Sequence, residues 1–113
     1  MDAKAELSRS DVDALPGATL LEFGATWCGV CRATAPTIRS ALGGHPGVRH
    51  LKVEDGPGRP LGRSFGVKLW PTLVFLRDGR ETARLVRPRD TASIGDALAA
   101  IDAPAAATGM ASR

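Results

Sequence analysis

The chain has 113 residues, 43% of them hydrophobic and 24% charged, a balance that excludes a disordered or fibrous chain and suits one globular domain. At this length folding buries roughly 65% of the unfolded surface, so a core forms without staples and the cysteines are free for chemistry. No apolar run approaches the ~20 residues that span a bilayer, and a net charge of +3 with aromatic residues at only 4% gives no nucleic-acid signature.

Met1-Asp2-Ala3-Lys4-Ala5-Glu6-Leu7 lacks the apolar core of a signal peptide, which makes a reducing cytoplasm the expected compartment. A weak strand at Ala3 to Leu7 is conceivable from the pattern. Ser8 or Ser10 caps a short helix through Val12 and Leu15, stopped by Pro16-Gly17. Thr19-Leu20-Leu21-Glu22-Phe23 reads as a strand that is apolar on both faces and belongs inside a sheet. Cys28 opens a helix in which Ala35, Ile38 and Leu42 recur at helical spacing; it ends at Gly43-Gly44, and Pro36 inside it demands a kink.

Val48 to Val53 forms a second strand, and Gly56-Pro57-Gly58-Arg59-Pro60 leads into a short helix carrying Leu61 and Phe65, stopped by Gly66. Leu73 to Leu76 and Thr82 to Val86 flank Arg77-Asp78-Gly79-Arg80, whose Asp-Gly is a hairpin signal, so these strands pair antiparallel. Arg77, Arg80, Arg84, Arg87 and Arg89 crowd this stretch as solvated charge around the turn, a basic rim suited to acidic protein partners. A last helix starts near Asp90 or Thr91 and buries Ile94, Ala97, Leu98 and Ile101. The domain thus runs over residues 1–102, and 103–113 is an Ala-rich tail expected to be disordered. Strand, helix, strand implies a parallel pair and the hairpin an antiparallel one, so the fold is α/β with a central mixed β-sheet flanked by helices on both faces.

Trp27-Cys28-Gly29-Val30-Cys31 holds the only cysteines of the chain, three apart at a strand-to-helix turn. Thiol-disulfide exchange needs a thiolate to attack a disulfide and a second thiol to resolve the mixed disulfide. Cys28, at the helix start, meets the macrodipole and unpaired backbone N–H groups that favour its thiolate, and is the nucleophile. Cys31, one turn in and more enclosed, is the resolving thiol. Gly29 leaves the nucleophile uncovered. Trp27 either offers a flat apolar surface beside it or packs into the core.

The segment from Leu21 to Pro36, with Trp70-Pro71-Thr72 and the order of elements, resembles the thioredoxin family over most of the chain. The resemblance implies the thioredoxin fold and a protein disulfide oxidoreductase with no bound cofactor, drawing electrons from a separate NADPH-dependent flavoenzyme reductase and acting as a monomer on protein disulfides. It places Glu22 where the family carries a buried acid that accepts the proton of the resolving thiol, an aspartate being usual there. Burial raises a carboxyl pKa toward a range useful for a general base, whereas on an edge strand Glu22 would simply face solvent. Lys52 falls where the family has a lysine beside that acid, so a contact between Glu22 and Lys52 is expected, with a solvated lysine as the alternative. Pro71 matches a cis-proline that helps hold an extended substrate strand, and Pro36 the proline that kinks the active-site helix.

The chain departs from the family at Val30, where a proline usually tunes redox poise, at Trp70, which is larger than the usual residue before the cis-proline, and at Arg87-Pro88, where a glycine normally admits the partner's backbone. With Trp27, Gly29, Val30 and Pro71 they would line the substrate groove, and Trp70 and Arg87 would narrow the set of partners. Three rivals remain: an adaptor or chaperone using the fold to bind without obligatory turnover, an exported thiol-disulfide interchange protein, and a zinc site from Cys28, Cys31, His45 and His50. Against zinc, Pro46-Gly47 separates the histidines, which are expected at the surface of a helix-to-strand connection.

Overall fold

The computed structural model describes residues 7–102. The expected tail at 103–113 and residues 3–6 of the possible first strand lie outside them; Leu7, which is described, packs on the core without strand structure. Ser8 caps α1 (Arg9–Asp13) through a reciprocal pair with Asp11, the serine hydroxyl accepting from the Asp11 N–H and the Asp11 carboxylate from the Ser8 N–H. The helix stops at Asp13, before Leu15, and Gly17 follows with φ +74°.

The sheet contains β1 (Ala18–Gly24), β2 (Arg49–Glu54), β3 (Thr72–Arg77) and β4 (Arg80–Val86) in the order β2-β1-β3-β4. β1 pairs parallel with β2 and antiparallel with β3, so the continuous apolar run of β1 lies inside the sheet, as its pattern predicts. β3 and β4 form the Asp-Gly hairpin, with φ +52° at Asp78 and +81° at Gly79, the left-handed pair that a two-residue turn requires.

Helices cover both faces. Leu20, Leu73 and Phe75 meet α2 (Gly29–Leu42) and α4 (Thr91–Asp102) through Ile38, Ala41, Ile94, Leu98 and Ile101. Leu21, Phe23, Val74 and Leu76 point the other way, onto Val12 of α1 and onto Leu61 and Phe65 at α3 (Pro60–Ser64). The period of two along β1 therefore feeds two cores. Arg9 lies over the Phe65 ring at 3.9 Å and donates to the Ser64 carbonyl at 2.8 Å, closing the rim of the second core.

The hairpin tip is fastened to the end of α1. Gly17 donates its N–H to Asp78 Oδ1 at 2.7 Å, and the Asp78 N–H returns to the Gly17 carbonyl at 2.8 Å. Gly79 lies so close to the Asp13 carbonyl that any Cβ there would overlap it.

The arginines of the hairpin are more occupied than solvated charge would be. Arg77 donates to the Ile101 carbonyl at 3.0 Å, and Arg84 makes a bidentate pair with Glu81 at 2.7 and 2.8 Å and reaches the Phe65 carbonyl at 2.6 Å. Their planar, multiply donating guanidinium groups satisfy carbonyls at the ends of elements.

Candidate active site

β1 ends at Gly24 and α2 begins at Gly29, so the intervening loop delivers Cys28 to the helix as its N-cap. The Cys28 sulfur accepts the Cys31 backbone N–H at 3.3 Å, taking the place a serine or aspartate oxygen usually holds. Both cysteines are free thiols. α2 runs on through Pro36, whose missing N–H removes one hydrogen bond from its interior.

The two sulfurs have opposite acidities. The Cys28 pKa is lowered first by the hydrogen bond from the Cys31 thiol, then by the backbone N–H groups of Cys31 and Val30 and by the positive charge of Arg87, with desolvation opposing them. Cys31 is pushed up to about 11, chiefly by desolvation, and then by its hydrogen bond to Cys28 and by the charges of Cys28 and Glu22. The helix N-terminus thus assists Cys28, but the neighbouring thiol does more.

Burial weighs more on the Cys31 sulfur, as expected, although Cys31 as a whole residue keeps more accessible surface than Cys28. Cys28 is 8% exposed and Cys31 is intermediate, and Cys31 borders a cavity of about 350 Å³. Glu22, Gly24, Arg32, Lys52 and Glu54 share that wall. A Cβ on Gly24 would stand 2.7 Å from Cys31 Sγ, so the glycine makes room for that sulfur.

Glu22 is 7% exposed, the one buried charged side chain among the described residues. Its partner is not the one expected. β1 and β2 set Glu22 opposite Lys52 along the backbone, and Lys52 lines the cavity, but the hydrogen bond goes to His50, whose Nε2 is 2.7 Å from Glu22 Oε1. In a strand His50 and Lys52 share a face, and the shorter imidazole reaches diagonally to the carboxylate. His50 is therefore part of β2 and tied to a buried acid rather than sitting at a surface connection. His45 pairs with Asp102 at 2.8 Å, joining the end of α2 to the end of α4. The two histidines serve separate carboxylates, and among the described residues no group of three His, Cys, Asp or Glu side chains stands together as metal ligands.

Trp27 is 68% exposed and meets Trp70 edge to face, with ring centroids 5.3 Å apart. The Trp27 side chain thus lies outside the core, and Val30, Leu69 and Val86 are exposed as well. Asp55 fixes Trp70: its carboxylate accepts the indole N–H at 2.9 Å, while its backbone N–H holds the Gly24 carbonyl at 2.8 Å. Neither Gly24 nor Asp55 stands out in the sequence, because each acts through a neighbour distant along the chain.

The Trp70–Pro71 bond is cis. Arg87 takes φ +51°, a left-handed conformation that favours glycine, and so keeps the backbone shape expected of a glycine there. Its N–H donates to the Pro71 carbonyl at 2.9 Å and its Nε to the Trp70 carbonyl at 2.7 Å. The side chain thereby lies across the backbone that precedes the cis-proline.

This arrangement has counterparts in known proteins. Residues 4–100 match the Thioredoxin family. The reduced thioredoxin 2 of Pseudomonas aeruginosa PAO1 is 52% identical and superposes with a TM-score of 0.74, covering 88% of this chain and 96% of that one. The thioredoxin of Chlamydia muridarum is 37% identical over 69% of this chain and 76% of its own length. The protein disulfide-isomerase A2 of Pongo abelii is 41% identical over 72% of this chain, which spans only 17% of that longer protein. No helix among the described residues is long and apolar enough to cross a membrane. With its pair of thiols at the start of α2 and these likenesses along nearly the whole chain, the protein belongs to the thioredoxin family and is a thiol-disulfide oxidoreductase.

Proposed function

We propose that the chain reduces disulfides of a restricted set of protein partners. Cys28 attacks as the thiolate, a mixed disulfide forms, and Cys31 gives its proton to Glu22 and attacks Cys28 Sγ, releasing the partner's second thiolate. The observation that carries this reading is the split in acidity, Cys28 lowered and Cys31 at about 11, which assigns the thiols different turns in the reaction. The exposed Trp27, Val30 and Leu69 offer an apolar landing for a partner beside the nucleophile. Trp70, held by Asp55, and Arg87, held on the Trp70 carbonyl, narrow that landing and favour partners able to draw the guanidinium away. An acidic side chain next to the partner's cysteine would do so.

The chain has no nucleotide-binding fingerprint, so we assign its electrons to a separate NADPH-dependent reductase. Net reduction fits a monomer working in a reducing compartment, the cytoplasm.

The test is the equilibrium reduction potential of the Cys28/Cys31 pair in a dithiol buffer, read through the fluorescence of Trp27. A value near about −270 mV is expected for a reductant, and one between about −180 and −120 mV would make the chain an oxidant or isomerase and overturn both direction and compartment. Equal activity on many unrelated protein disulfides would overturn the restriction on partners.

A further inference from the structure

Glu22 is buried inside the sheet, yet one of its oxygens is committed to a side chain that is partly outside. His50 Nε2 lies 2.7 Å from Glu22 Oε1, with the histidine side chain 26% exposed and that of the glutamate 8%. The same carboxyl lines the cavity that Cys31 borders. The charged and titratable groups around it are His50, Lys52 and Glu54 from β2 and Cys31 and Arg32 from α2. β3 presents Leu73 opposite it, and α4 brings the apolar Ile94, Leu98 and Ile101 to that face.

A carboxyl that takes a proton once per turnover must be held toward its donor and must then release the proton to water. A buried side chain does neither freely, because its rotamer needs a partner and its burial blocks solvent. We propose that His50 is the positioning residue of the resolving step, fixing one Glu22 oxygen so that the other serves Cys31 and linking the buried carboxyl to solvent. The inference rests on Glu22 being the proton acceptor.

The roles of the two atoms follow the histidine tautomer: Nε2–H holds the ionised carboxylate, and with the proton on Nδ1 instead, Nε2 accepts the proton the carboxyl has received.

The test uses an activated aromatic disulfide, whose coloured thiolate is released twice. Cys28 attacks first, forming the mixed disulfide and expelling one thiolate. Cys31 S–H then loses its proton to Glu22, the Cys31–Cys28 bond forms, and the second thiolate leaves; the protein is oxidised by two electrons and the reagent reduced by two. Stopped-flow rates of both releases are compared at one pH for the wild type, His50→Gln, His50→Ala and Glu22→Gln. Glu22→Gln is expected to slow the second release about 100-fold and His50→Gln and His50→Ala about 10-fold, while the first release is unchanged.

Wild-type rates in His50→Gln, with Glu22→Gln slow, would overturn the role of His50 alone. Wild-type rates in Glu22→Gln would overturn the assignment of Glu22 and the inference with it. A first release slowed as much as the second would place the His50 effect on Cys28 and overturn the inference as well. Should His50→Ala fail to fold, the glutamine variant, which keeps a donor of similar reach but cannot carry a proton, decides the matter.

Discussion

The two faces of the sheet are built from the same strands and differ in what they bury. Toward α1 and α3 the cluster is Val12, Leu21, Phe23, Leu61, Phe65, Val74 and Leu76, with no ionisable member. Toward α2 and α4 an apolar cluster of similar size gives way, at the C-terminal end of β1, to Glu22, His50, Cys31 and the cavity. One residue of offset along β1 separates a side chain that only stabilises from one placed to accept a proton. The buried carboxyl and the thiols thus share one face, and the purely apolar cluster lies on the other.

The hardest test of that division is Phe23→Ala. Truncating this fully buried ring should lower unfolding stability by about 3–5 kcal/mol in urea denaturation. The order of reactivity of the two thiols should survive, and a Cys28 alkylation profile that moved with the mutation would break the separation of faces.

The second test compares the thiols themselves. Only the thiolate alkylates, so a lowered pKa brings reactivity in at lower pH. Alkylation followed by peptide mass mapping should show Cys28 titrating below the ordinary thiol value of 9.0 and Cys31 only toward about 11. Coincident profiles would remove the difference on which the division of labour rests.

The smallest expected effect sharpens the comparison. Gly24→Ala places a methyl 2.7 Å from Cys31 Sγ, and overpacking of this kind should cost about 1–3 kcal/mol of stability in the reduced protein. The second thiolate release should slow with it, since the displaced sulfur is the resolving one.

Much of this was legible in the residues. The strand of Leu20 to Phe23, the Asp-Gly hairpin, the Ser8 cap and the thiol pair at a helix start follow from periodicity and local chemistry, and local signals survive folding when nothing distant contradicts them. The partner of Glu22 was not legible. Backbone register pairs it with Lys52, but the bond is settled by side-chain length and lean, which bring the imidazole two residues earlier onto the carboxylate. Nor does the sequence carry any sign of the cavity beside Cys31. Asp55 and Gly24 escaped notice for the same reason: their roles exist only once Trp70 and Cys31 arrive from elsewhere in the chain.

The clasp between Gly17 and Asp78 closes the end of the sheet opposite the cysteines, with Gly79 seated on the Asp13 carbonyl. Hairpin tips are ordinarily the first choice for grafting an epitope, a reporter or a new terminus, since they face solvent and touch little. In this protein the tip is a joint between the hairpin and the first helix. An engineer who wished to lengthen the chain without loosening the sheet would leave Asp78-Gly79 intact and look for a site elsewhere.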